Sequence, residues 1–139
     1  MENAAINFQE LTELALQARE RAYVPYSHFA VGAALLCKDG TVYQGCNIEN
    51  AAYPATNCAE RTAFFKAVSE GRRDFAAIAV AGGPAGEAPA AFCPPCGVCR
   101  QVMREFCGAD FTIFLSDGGK IQAYTLEELL PCSFGPENL

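Results

Sequence analysis

No stretch of this sequence approaches the ~18 consecutive apolar residues that a membrane-spanning helix needs. The segment from Met1 to Asn7 has neither a basic leading region nor an apolar core, so it does not read as a secretory leader. Lys and Arg number 10 against 16 Asp and Glu, the net charge is -6, and no basic stripe forms. A polyanion would meet a repulsive field and no obvious phosphate-binding surface, which argues against a nucleic-acid substrate. Internal repeats, low-complexity tracts and long linkers are missing too, and histidine occurs once, at His28. These absences predict a soluble, cytosolic protein with neither a membrane nor a nucleic acid as partner.

What is present is a chain of 139 residues, 51% hydrophobic and 19% charged. That profile fits one globular domain over residues 1–139, long enough to bury roughly two-thirds of its unfolded surface. Eight cysteines is a high count. The cytosol keeps thiols reduced, so a disulfide framework explains them poorly. Some are expected to be core hydrophobes; the others cluster.

The apolar positions Phe8, Leu11, Leu14, Ala15, Ala18 and Ala22 recur at helical steps and predict a helix from Asn7 to Tyr23, ended by Pro25. Strands are predicted over Ala30–Cys37 and Thr41–Asn47, joined at Asp39-Gly40. A buried helix is predicted over Cys58–Glu70, with Asn57 or Thr56 as N-cap and Gly71 as its stop. Phe75–Ala81 reads as a central strand, Gly82–Pro95 as a loop, and Cys96–Phe106 as a third helix. Strands over Phe111–Leu115 and Ile121–Tyr124 and a short helix opened by Thr125 and Glu128 complete the order α-β-β-α-β-α-β-β-α. That order predicts a mixed sheet covered by helices.

Cys96-Gly97-Val98-Cys99 is a C-x-x-C pair at the start of a predicted helix, and Cys58 starts another. Such pairs arise as metal knuckles, redox pairs or chance packing. Helix N-termini favour thiolate, the metal-binding form. If the two ends converge, they make a three-thiolate zinc site with one position open, as catalysis requires. Glu60 lies two residues beyond Cys58 and is the candidate proton shuttle. Positions two apart on a helix diverge by about 200°, so convergence requires Cys58 to project off the helix end. The alternative is a first-turn carboxylate favoured by the macrodipole.

Cys58-Ala59-Glu60 followed by Pro95-Cys96-Gly97-Val98-Cys99-Arg100-Gln101 resembles the zinc-site signature of the nucleoside cytidine deaminases, in its three-cysteine form. Val24-Pro25-Tyr26-Ser27-His28-Phe29-Ala30-Val31-Gly32-Ala33-Ala34 is similar to that family's N-terminal signature. Gly45 to Tyr53 is similar to its sugar-recognition segment, and Glu127 to Pro131 with Phe134 to its C-terminal end. The likeness runs from about Phe8 to Phe134 and fits the small homotetrameric members best.

The resemblance implies an α/β, three-layer α-β-α fold with a five-stranded mixed sheet. It implies one Zn²⁺ per subunit on Cys58, Cys96 and Cys99, Glu60 as catalytic acid-base, and Arg61 hydrogen-bonded to the zinc thiolates. Asn47 and Glu49 would bind the ribose, Phe29 would flank the pyrimidine, and Ala59 would hold the base through its backbone. Tyr53 and Phe134 would reach across subunit contacts toward a neighbour's site. The implied reaction is hydrolytic deamination of cytidine and 2′-deoxycytidine to the uridines, with release of ammonia, a step of pyrimidine salvage. Arg61 would also offset the single net negative charge that three thiolates leave on Zn²⁺. Glu49, an anion beside the sugar, favours nucleosides over nucleotides.

Cys93 stands out, three residues before Cys96. Bound as a fourth sulfur it would close the site, but Pro94 and Pro95 are expected to carry it away from the helix end. Cys37, Cys46, Cys107 and Cys132 read as buried free thiols, and His28 as structural or exposed. The rival readings are a structural four-sulfur zinc protein, a thiol redox protein using Cys96 and Cys99, and a deaminase of an antibiotic, a nucleotide or a polynucleotide.

Overall fold

The structure, a computed structural model, describes residues 6–139; Met1–Ala5, on which part of the reading of the N-terminal segment rests, lie outside the described residues. Helices α1 (Phe8–Ala18), α2 (Ala59–Ser69), α3 (Gly97–Phe106) and α4 (Leu126–Leu129) alternate with strands β1 (Phe29–Cys37), β2 (Val42–Cys46), β3 (Phe75–Pro84), β4 (Thr112–Ser116) and β5 (Ile121–Thr125). The strands form one sheet in the order β2-β1-β3-β4-β5. Only β3 and β4 run parallel, so the sheet is mixed, as predicted. The crossover between these parallel strands contains α3.

Alternation along the strands sorts their side chains onto two faces. Ala34, Ala77 and Ala79 pack beneath α1 with Leu11 and Ala15. Ala33, Leu35, Ile78, Val80, Ile113 and Leu115 point the other way, against Phe64 of α2 and Met103 of α3. The result is a three-layer α-β-α fold. Two glycines set how closely the helices lie. A Cβ on Gly32 would overlap the Ala15 carbonyl of α1, and one on Gly45 would overlap the Ala59 carbonyl of α2.

The elements depart from the predicted ones in three places. Helix α1 ends at Ala18 and passes through a 3-10 turn at Arg19–Arg21, short of Tyr23. Tyr23 is drawn into a β-bridge, with its N–H on Asn47 O at 3.0 Å and its carbonyl accepting from Glu49 N at 2.9 Å. Strand β3 runs on to Pro84, through a Gly-Gly pair predicted as loop, because Gly82 and Gly83 pair with Val31 and Ala30 of the long strand β1. The N-cap of α2 is neither Asn57 nor Thr56 but Cys58, extended at φ -78, ψ 157.

Candidate active site

Cys58 and Cys96 are N-caps, each the extended residue just ahead of its helix, and neither side chain hydrogen-bonds to the helix amides. Cys58 therefore projects off the end of α2, which meets the geometric condition that the spacing to Glu60 imposed. Cys99 lies in the first turn of α3 and is buried. The three Sγ atoms lie within 4.8 Å of one another, and Cys58 and Cys96 are 3.7 Å apart. A zinc tetrahedron with Zn–S bonds of 2.3 Å has an S···S edge of about 3.8 Å, so the donor set fits zinc. All eight cysteines are free thiols.

The electrostatics are those of a site built for negative sulfur. The Cys58 thiol is brought down to about 5 by its hydrogen bond with Cys99 and, against the opposing effect of burial, by Arg61 and Cys96. The same hydrogen bond, together with burial, pushes Cys99 up, so Cys58 ionises first. Arg61 donates from Nη2 to Cys58 Sγ at 3.1 Å. Burial works against its charge, but the Cys58 and Cys99 sulfurs outweigh that and hold the guanidinium protonated. Its Nε is buried with no acceptor among the described residues. A partly buried cation with a buried, unpartnered nitrogen calls for negative neighbours, and three thiolates on Zn²⁺ would carry one net negative charge.

Glu60 is only 4% exposed. Burial raises its carboxyl to about 7, helped by the nearby Cys58 charge and opposed by its own backbone N–H and by Arg61. Ala59, beside it, is fully buried.

Cys93 is not among the converging sulfurs. Its Sγ packs over Gly82, where a Cβ would come within 2.8 Å. The thiol is pushed up to about 11 by burial and then by the charges of Glu60 and Cys58, so it borders the site without joining the cluster. Cys37 is buried, and Cys46 and Cys107 are half-buried, but Cys132 is exposed, contrary to expectation, on a residue with φ 51. His28 is exposed as well.

Asn47 and Glu49 have work within the chain that their sequence context did not disclose. Asn47 accepts from Val31 N and donates to Phe29 O, both at 2.9 Å, clamping the start of β1. Glu49 accepts from Tyr26 N at 3.0 Å and Ser27 N at 3.1 Å, and takes a short hydrogen bond from the Ser27 hydroxyl. These bonds, the Ser27 hydroxyl foremost, hold its carboxyl below the usual range. Together the two residues fix the turn that presents Phe29, which is 41% exposed. A cavity of 410 Å³ lies beside them, lined by Tyr26, Ser27, Glu49, Asn50, Tyr53 and Thr56. A larger one of 620 Å³, between the end of α1 and the 85–89 loop, lies apart from the cysteines. Its Arg19 is engaged with the carbonyls of Ala30, Gly83 and Pro84.

Tyr53 and Phe134 lie on the surface, 75% and 60% exposed. No helix among the described residues is long and apolar enough to cross a membrane.

Residues 6–115 match the family model described as the cytidine and deoxycytidylate deaminase zinc-binding region. The chain is 58% identical to a cytidine deaminase of Halalkalibacterium halodurans over 132 residues, 94% of this chain and 96% of the relative. It is 52% identical to a cytidine deaminase of Sporosarcina psychrophila over 135 residues, 96% of each. The crystal structure of cytidine deaminase from Burkholderia pseudomallei superposes with a TM-score of 0.85 at 45% identity, covering 93% of this chain and all of that one. Convergent thiols at two helix N-termini, a buried carboxyl beside them and these likenesses agree: the chain belongs to the zinc-binding cytidine and deoxycytidylate deaminase family.

Proposed function

We propose that the chain acts as one domain that hydrolyses free cytidine and 2′-deoxycytidine to the corresponding uridines with release of ammonia. Cys58, Cys96 and Cys99 hold one zinc ion, and Glu60 handles the protons. The observation that carries this reading is the buried Glu60 carboxyl beside three converging thiols. Zinc, when bound, supplies the Lewis acidity that brings the ionisation of a water toward neutral pH. As a carboxylate, Glu60 accepts the proton of the attacking water and passes it to N3 of cytosine. It then takes the proton of the new C4 hydroxyl and hands it to the amine, which leaves as ammonia as the C4 carbonyl forms. A carboxyl at about 7 gains and gives up a proton with little bias at neutral pH, which suits this double duty.

Ala59 meets the base through its backbone, and Phe29 flanks the ring. The second amide hydrogen of Asn47 and the remaining lone pairs of Glu49 serve the ribose hydroxyls. The Glu49 charge turns phosphate away, which favours nucleosides in pyrimidine salvage. Exposed Tyr53, Phe134, Phe65 and Val98 form apolar surface that assembly would cover, which supports a homotetramer in which Tyr53 and Phe134 approach a neighbour's site. Eight free thiols support a cytoplasmic setting.

Zinc-loaded protein mixed with cytidine should release ammonia and shift the nucleoside absorbance to that of uridine. A folded, zinc-loaded chain that leaves cytidine and deoxycytidine intact but consumes an antibiotic such as blasticidin S would overturn the substrate assignment.

Arg61→Gln should weaken zinc retention roughly 10- to 100-fold, the usual effect of removing a group that supports metal ligands. Competition against a chelator of known affinity checks this. Unchanged affinity would reduce Arg61 to a packing residue.

A further inference from the structure

The segment after α4 is strapped onto the outer side of α3. Arg100 donates to Leu129 O at 2.6 Å, and Gln101 Nε2 to Phe134 O at 2.9 Å. Arg104 Nε donates to Ser133 Oγ at 2.8 Å, and its terminal nitrogens pair with both carboxylate oxygens of Glu137 at 3.0 and 2.5 Å. Gly135 lies flat against the guanidinium, where any Cβ would overlap it. Its N–H reaches Asn138 Oδ1 at 2.8 Å. Amid these anchors the Phe134 ring takes no part in the core and stands 60% exposed. An aromatic ring on a backbone pinned from both sides is organised in advance for a contact made outside its own chain.

The geometry points to Arg104 as a positioning residue, which holds Ser133, Gly135 and Glu137 so that Phe134 projects toward a neighbouring subunit's active site. This rests on the reading of Phe134 as a substrate contact across subunits. The Arg104–Glu137 pair is half-open to water, with side chains 19% and 66% exposed. As a surface ion pair it adds little stability. Its use is geometric, because a planar fork that binds a carboxylate and a hydroxyl together fixes direction, which a lysine ammonium cannot do. The helix carrying Arg104 also has Cys96 as its N-cap and contains Cys99, so the strap and two of the candidate zinc ligands share one rigid support.

Steady-state kinetics on cytidine test the assignment, using Arg104→Lys, Glu137→Gln, Phe134→Ala and the double variant Arg104→Lys/Phe134→Ala. Phe134→Ala should raise KM roughly 2- to 10-fold, the scale of one aromatic contact. Arg104→Lys and Glu137→Gln should raise KM in the same direction with kcat nearly unchanged, and the double variant should be no worse than Phe134→Ala alone. Glu137→Gln breaks the same pair from its solvent side, so the test survives if Arg104→Lys folds poorly. Wild-type KM in both strap variants would overturn the assignment, as would effects that multiply in the double variant, or a KM rise traced by sedimentation to loss of assembly. An unchanged KM in Phe134→Ala would instead remove the Phe134 contact, and the strap's role with it.

Discussion

Glu60→Gln is expected to lower cytidine turnover by roughly 10²- to 10⁴-fold while making the folded chain more stable at pH 8. Both effects come from one buried group. Glutamine keeps the shape of the side chain but can neither accept the water's proton nor return it to the leaving amine. The stability effect follows from the raised carboxyl, about 7 in the folded protein against an ordinary 4.5. Below pH 4.5 the group is protonated whether the chain is folded or not, and it costs nothing. Between 4.5 and 7 the unfolded chain releases its proton and the folded chain keeps it, so wild-type stability falls as pH rises. Above 7 the full penalty stands, about 3 kcal/mol. Denaturant unfolding of metal-free wild type and Glu60→Gln at pH 5 and pH 8 isolates the effect, since the titration of the other groups is common to both. A stability difference that does not change with pH would show that Glu60 does not titrate as a buried acid. Near-normal turnover would remove it from the mechanism.

Gly45→Ala should disable the enzyme from a position that offers no chemistry. Gly45 pairs with Ala33 on the β1–β2 ladder and faces the first turn of α2, where a Cβ would overlap the Ala59 carbonyl and lie 2.6 Å from Ala63 N. Neither contact is a side-chain tip that can swing aside; both are backbone. The helix must lift, and with it Cys58, Ala59, Glu60 and Arg61. Overpacking of this kind costs about 1–3 kcal/mol, and a displacement near 1 Å costs about 10²-fold in rate. Denaturation midpoint, zinc content and turnover should all fall. Gly119→Ala is the control, since a Cβ there meets nothing nearer than 3.7 Å. Wild-type values in Gly45→Ala would mean that α2 does not need its close seat on the sheet.

The order of elements was legible because apolar spacing changes period where helix gives way to strand, and because Asp39-Gly40 and Thr125 mark their boundaries with local chemistry. What escaped was set by partners distant in sequence. Gly82-Gly83 reads as loop until nine-residue β1 is seen to require a partner along its whole length. Tyr23 leaves the helical pattern because Asn47 and Glu49 claim its backbone. The candidate metal ligands were legible from type and spacing, and the cap position that makes their convergence possible was not. Asn47 and Glu49 entered as candidate ribose contacts only through the family resemblance, and their clamping of Tyr26, Ser27 and Phe29 was hidden, since no local signal names a hydrogen-bond partner some twenty residues away. Arg104 carried no signal either, in a helix where arginine is an ordinary choice.

Helices α2 and α3 each follow an N-cap cysteine whose side chain bonds no helix amide. Serine at either position would supply the missing acceptor and steady the helix by about 1 kcal/mol, while giving up the soft sulfur that zinc prefers. A search guided by thermal stability alone would therefore drift toward serine at 58 and 96 and extinguish the enzyme as it hardened the fold. On the zinc role proposed for them, the two cysteines trade durability for chemistry, and a stabilising library for this protein should leave both fixed.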